Sequence, residues 1–234
     1  RLPDMTTPTA NPFSDELIAA LEDEWLGIEA ARHTQVESWH EPMRLLADEY
    51  YEMRRRGAWV RGPADFFGIL GRNRDELSHS AMLAWLLDPD GRHGLGRALL
   101  DRVIADCFPD LDAASIRIRS VETEVQRGET RADIVIWGDT ATIIIEVKVD
   151  AGEGIRQCDR LYERFSDEPG VRFLFLTPSG REPLTATGDA ASAFVAMSFR
   201  RIRQLVEEAL AGASGGAAAG VVANYLTTMR REFR

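Results

Sequence analysis

A chain of 234 residues, 44% hydrophobic and 28% charged, has the make-up of an ordinary globular protein and is long enough for one large domain or two small ones. Its formal net charge of −10 argues against a generic polyanion binder, since Lys and Arg dominate phosphate affinity. The charge does not exclude a protein that gathers carboxylates around bound cations, which offset them. Two cysteines, Cys107 and Cys158, show no CxxC spacing, so the expected setting is a reducing one, the cytoplasm. No apolar run approaches a membrane span, and the opening residues lack the apolar centre of a signal peptide.

Residues 1–10 are rich in Pro and Thr and are expected to be disordered. The pattern over 12–56 is helical, with Leu17, Leu21, Trp25 and Ile28, then Met43, Leu46, Tyr50 and Met53, at helical spacing. Residues 57–63 break it, and Phe66, Phe67, Ile69 and Leu70 make a short apolar segment. A buried helix is predicted over 74–87, with Asn73 as N-cap and Glu76 three residues later as in a capping box. Asp88-Pro89-Asp90-Gly91 ends it, and another helix follows over 95–108.

After Pro109 the period changes from helical to alternating. Strands are predicted at 116–125, 134–137 and 142–149, the last two joined by a turn at Gly138-Asp139. A helix over 154–165, a strand over 171–177 and a fifth strand over 194–197 come next. Helices over 202–210 and 221–233 flank a small-residue stretch. The order predicts a mixed α/β fold with a central sheet flanked by helices. Its expected organisation is a disordered 1–10, an N-terminal helical portion over 11–108 packed on the core, and a core over 109–234, together one compact domain.

The chemistry concentrates between Asp133 and Lys148. Asp133 opens one apolar strand, and the next runs Ile143-Ile144-Ile145-Glu146-Val147-Lys148. Side chains alternate along a strand, so Glu146 and Lys148 share a face with Ile144, and that face turns from apolar to charged at the strand end. Placing two acids and a lysine at the ends of buried strands is costly unless a cation sits between them. Mg²⁺ commonly takes one or two carboxylates and keeps waters, so Asp133, Glu146 and the Val147 carbonyl are the candidate ligands. Lys148 is the candidate to hold the attacking water or to stabilise phosphate charge. Counted from a turn at Gly138-Asp139, however, Asp133 and Glu146 fall out of register unless the strand bulges or the loop is longer. The alternative is an exposed hairpin with an ordinary Glu/Lys pair.

The segment resembles the PD-(D/E)XK nuclease superfamily, with Asp133 as the first acid and Glu146-Val147-Lys148 as (D/E)-x-K. Ala132 stands where a Pro is usual. Arg74-Asp75-Glu76-Leu77-Ser78-His79-Ser80, Leu83-Ala84-Trp85-Leu86-Leu87-Asp88-Pro89 and Gly91-Arg92-His93-Gly94-Leu95-Gly96 resemble a bacterial branch of it, over residues 65–177. The resemblance implies a restriction-endonuclease-like core and Mg²⁺- or Mn²⁺-dependent hydrolysis of a nucleic acid, with DNA the expected substrate and a homodimer a possible state. It implies that Glu76 completes the metal site, with helix capping as the competing role. It implies that Gln157 supports the substrate or Lys148, and that His79, one turn from Glu76, contacts a phosphate or orients Glu76; a buried histidine satisfied by a backbone group is the rival. Tyr162 is displaced by one residue from the place of a companion Tyr, which Leu161 occupies. Glu124, on one strand face with Glu122, stands where that branch tends to have an acid; the alternative for either is an exposed strand residue. The competing function is a catalytically silent binding module of the same fold, or a subunit of a defence system. No GxGxxG, GxxxxGK[ST] or GxSxG motif supports another class.

Overall fold

The computed structural model describes residues 14–58, 60–213 and 218–234. The predicted disorder at 1–10 lies outside the described residues. The chain divides into two units, 1–61 and 62–234.

In the first unit, helix α1 (Asp15–Arg55) fills the region of the helical pattern. The Ser14 side chain accepts from the Leu17 amide, Asp15 and Glu16 sit in the first turn, and Arg54 and Arg55 in the last, each suited to the helix dipole. Arg44 pairs with Glu41 one turn before it and Asp48 one turn after. No residue of α1 is buried, so its apolar stripe, Trp25 and Met43 included, lies exposed.

The second unit runs α2 (Phe66–Ile69), α3 (Glu76–Leu87), α4 (Ala98–Cys107), β1 (Ile118–Arg127), β2 (Thr130–Gly138), β3 (Thr142–Val147), α5 (Gln157–Phe165), β4 (Arg172–Thr177), α6 (Gly188–Ala193), β5 (Phe194–Ser198), α7 (Phe199–Ala211) and α8 (Ala219–Glu232). The five strands form one sheet in sequence order. β1, β2 and β3 are antiparallel; β3, β4 and β5 are parallel. This is the predicted mixed α/β architecture. Helix α5 supplies the crossover that a parallel β3–β4 pair requires.

Both faces of the sheet are covered. Ile134, Ile143, Ile145, Val147 and Leu174 pack in one core with residues of α3, α4, α7 and α8. Val135, Ile144, Phe173 and Phe175 pack on Cys158, Leu161 and Phe165 of α5. Every residue of β3 is buried, which explains why its sequence is a continuous apolar run rather than an alternation.

The structure corrects three local expectations. First, α3 is capped by Asp75, whose side chain accepts from the Ser78 amide at 3.0 Å, not by Asn73. Glu76 is therefore the first helical residue and no part of a capping box. Asp75→Ala is expected to lower stability by about 1 kcal/mol in urea denaturation, and an unchanged midpoint would remove the cap. Second, β1 and β2 run to a two-residue turn, with Arg127 opposite Thr130 and Gly128 at φ +60°. The polar residues at these strand ends concealed the hairpin. Third, the β2–β3 connection spans 138–141, because Trp137 pairs with Thr142. Ile134 then pairs with Ile145, and the next position on each strand is Asp133 and Glu146. The longer loop removes the register mismatch. It closes at Gly138, where an added Cβ would lie 2.4 Å from the Ala141 carbonyl oxygen.

Candidate metal centre

The sheet and α5 bring four of the expected residues together. Asp133, from β2, accepts a hydrogen bond from the Val147 amide at 2.8 Å, which ties it to the end of β3. Glu146 has a wholly buried side chain. Its Oε1 lies 2.9 Å from the Lys148 ammonium and accepts a hydrogen bond from the Gln157 side-chain amide. The Gln157 Oε1 in turn accepts from the Gly154 amide at 2.9 Å, which fixes the carboxamide orientation. Glu146 Oε2 is buried and has no hydrogen-bond partner among the described residues. A cleft of about 260 Å³ opens here, lined by Glu76, Asp133, Lys148 and Gln157, with Arg131 and Arg160 at its side.

Glu76 completes the cluster from α3. Its Oε1 accepts from the Val149 amide at 2.9 Å and the Ala151 amide at 3.3 Å, and its Oε2 lies 3.6 Å from the Lys148 ammonium. The carboxylate thus binds the chain just after β3 rather than its own helix.

The electrostatics are unbalanced. Burial, and then the neighbouring Asp133 carboxylate, push the Glu146 carboxyl up to about 8 against the pull of Lys148. Burial raises Asp133 as well, although the Val147 amide and Lys148 work the other way. For Lys148, burial favours loss of the proton, but Glu146, Asp133 and Glu76 outweigh it and hold the ammonium above its ordinary pKa. Lys148 is a stable cation, one positive charge among three acids.

This donor chemistry fits a hard dication. Among the described residues no group of three His, Cys, Asp or Glu side chains is gathered for a metal ion. One or two carboxylates are what Mg²⁺ ordinarily takes from a protein while it keeps waters. The unpartnered Glu146 oxygen and the raised acids are the features that a cation would relieve.

The other expected residues lie elsewhere. His79 is fully buried; Nε2 donates to the Asn73 carbonyl at 2.8 Å, and Nδ1 accepts from the Tyr225 hydroxyl at 2.9 Å. It packs against Phe67, Phe199 and Phe233, and burial lowers its pKa. Those contacts correct the expectation of a phosphate contact to one of a satisfied core histidine. Leu161 belongs to the core, and Tyr162 packs on Phe173. Glu124 pairs with Arg131 at 2.7 Å, and Glu122 accepts from the Ser120 hydroxyl.

Glu153 carries no motif in the sequence. Its buried carboxylate accepts from the Leu184 and Thr185 amides, the Thr185 hydroxyl and Arg181, tying the segment after β4 to the start of α5. Burial opposes ionisation, but these donors hold the carboxyl down at about 2. Its stabilisation is therefore present above the ordinary value of 4.5 and lost as pH falls through about 2. Glu153→Gln is expected to cost roughly 3 kcal/mol near neutral pH, with the gap to the parent closing in acid. Urea denaturation across pH checks this, and a gap independent of pH would contradict it.

Among the described residues no helix is long and apolar enough to cross a membrane. No curated protein and no solved structure matches the chain. The family model of the PD-(D/E)XK nuclease superfamily matches residues 64–227, from the approach to α2 into α8. With that match over most of its length, and with a mixed five-stranded sheet between helices, the chain belongs to the PD-(D/E)XK nuclease superfamily.

Proposed function

We propose that the protein is a divalent-metal-dependent nuclease that hydrolyses phosphodiester bonds in DNA. The observation that carries this is the buried Glu146 carboxyl, which has one oxygen without a partner among the described residues and is held by Lys148 and Gln157, two residues that line a cleft with Asp133. Asp133, Glu146 and the Val147 carbonyl are the groups that would hold Mg²⁺ or Mn²⁺, with Glu76 beside them. A dication bound there supplies Lewis-acid stabilisation of phosphate charge and eases ionisation of water.

The chain's own residues do the rest. Lys148 stays protonated, so it acts as a hydrogen-bond donor and a positive charge rather than as a general base. It positions the water for in-line attack and offsets charge that builds on the phosphate oxygens. Glu146 and Glu76 hold the ammonium from two sides. Gln157 orients Glu146, and so acts on the site through that carboxyl. One centre per chain suits a homodimer if both strands of a duplex are cut.

The competing reading, a silent binding module in a cytoplasmic defence system, draws on the net charge of −10. Plasmid and single-stranded DNA incubated with Mg²⁺, Mn²⁺ or a chelator separate the two. Cleavage only with the metals is the expected result. Metal binding without cleavage of either substrate would favour the silent module.

A further inference from the structure

We propose that Arg160 and Arg164 form an anion subsite on α5 that takes backbone phosphates of the DNA beside the scissile bond. The inference rests on the nuclease reading of the cleft. Arg160 lines that cleft, one turn after Gln157. Its Nε is buried and has no hydrogen-bond partner among the described residues, a state that costs free energy until an acceptor arrives. Among the described residues its guanidinium makes no ion pair.

The neighbouring arginines differ. Arg156 is held by Asp159 and Glu163, Arg127 by Glu168, Arg131 by Glu124 and Arg181 by Glu153. Their charges serve the fold. In a protein with ten more acids than bases, an arginine left without a carboxylate beside the site is available for an outside anion. Arg164 lies four residues further along α5, on the same face, and it too makes no ion pair among the described residues. Its guanidinium reaches the β1–β2 turn, within 4 Å of a Cβ built on Gly128. The two cations therefore mark a line from the cleft along α5 to that turn. A planar guanidinium matches a phosphate in two parallel hydrogen bonds, and a pair of them without acidic partners suits a polyanionic backbone irrespective of base sequence.

The test uses the full chain in a Lys148→Ala background, so that DNA stays whole. Fluorescence anisotropy of a labelled duplex is followed as salt is raised. Each phosphate that the protein ceases to neutralise lowers the slope of log Kd against log salt by about one. Arg160→Gln is expected to lower it by about one and Arg160→Gln with Arg164→Gln by about two, while Arg160→Lys restores most of it. Arg172 begins β4, at the end of the parallel strands away from Glu146, and Arg172→Gln is expected to leave the slope unchanged. A slope untouched by Arg160→Gln, or lowered equally by Arg172→Gln, would overturn the subsite. Should the wild type still cut DNA in that case, the nuclease reading stands without it. Should the wild type neither bind nor cut DNA, both fall.

Discussion

Lys148→Ala is expected to abolish metal-dependent cleavage while the protein stays folded. Among the described residues the ammonium is the one cation paired with Glu146 and Glu76, and these acids hold it protonated. Loss of one preorganised donor at the reacting centre typically costs 10²–10³ in rate, about 3–4 kcal/mol. The fold survives because Glu146 has a neutral form within reach. Its carboxyl already titrates at about 8, and without Lys148 that value rises further, so the buried group becomes an uncharged acid still bonded to Gln157. The charge that would otherwise be stranded is thereby avoided. Single-turnover cleavage and a thermal melt measure the two halves. Wild-type rates in the variant would remove Lys148 from the reaction, and an unfolded variant would call for Lys148→Met, which keeps the length of the side chain.

Asp133→Ala is expected to weaken Mg²⁺ binding by at least about 10²-fold, since even partners outside the ligand shell cost 10–100-fold. Titration calorimetry reads this directly, and binding like the wild type's would exclude Asp133 as a ligand. Asp133→Asn is the companion variant, because it drops the charge and keeps an acceptor for the Val147 amide. A linked pH effect follows. The folded Glu146 carboxyl holds its proton up to about 8, whereas an unfolded glutamate loses it near 4.5. Over that interval the folded state binds more protons, so metal-free stability falls as pH rises from about 4.5 to 8. A bound dication stabilises the carboxylate and is expected to flatten that fall. Melting temperatures with Mg²⁺ and with chelator across this range should diverge as pH rises; parallel curves would show that no cation meets these acids.

The register between Asp133 and Glu146 shows where sequence reasoning stopped. Counting from a turn at Gly138-Asp139 leaves the two acids out of step. The pairing of Trp137 with Thr142 sets a four-residue connection, and the acids then fall side by side. Loop length depends on what the chain packs against, here the Gly138–Ala141 approach, and no local pattern encodes it. Glu76 is a second case. Its spacing after Asn73 resembled a cap, but Asp75 takes that role, and Glu76 reaches amides more than seventy residues away. Arg160 and Glu153 carry no motif; one is notable for lacking partners and the other for having many.

By itself the sequence showed the mixed α/β order of strands and helices, the central sheet between helices, and the Asp133…Glu146-x-Lys148 pattern. Those follow from hydrophobic period, from a fully apolar central strand and from charges too costly to bury without purpose. Tertiary structure alone decided which charges meet. It put Lys148 between Glu146 and Glu76, left one Glu146 oxygen without a partner, and withdrew His79 into an aromatic core. Whether a polar group serves the fold or the cleft depends on the partners that packing brings to it, and those come from distant parts of the chain.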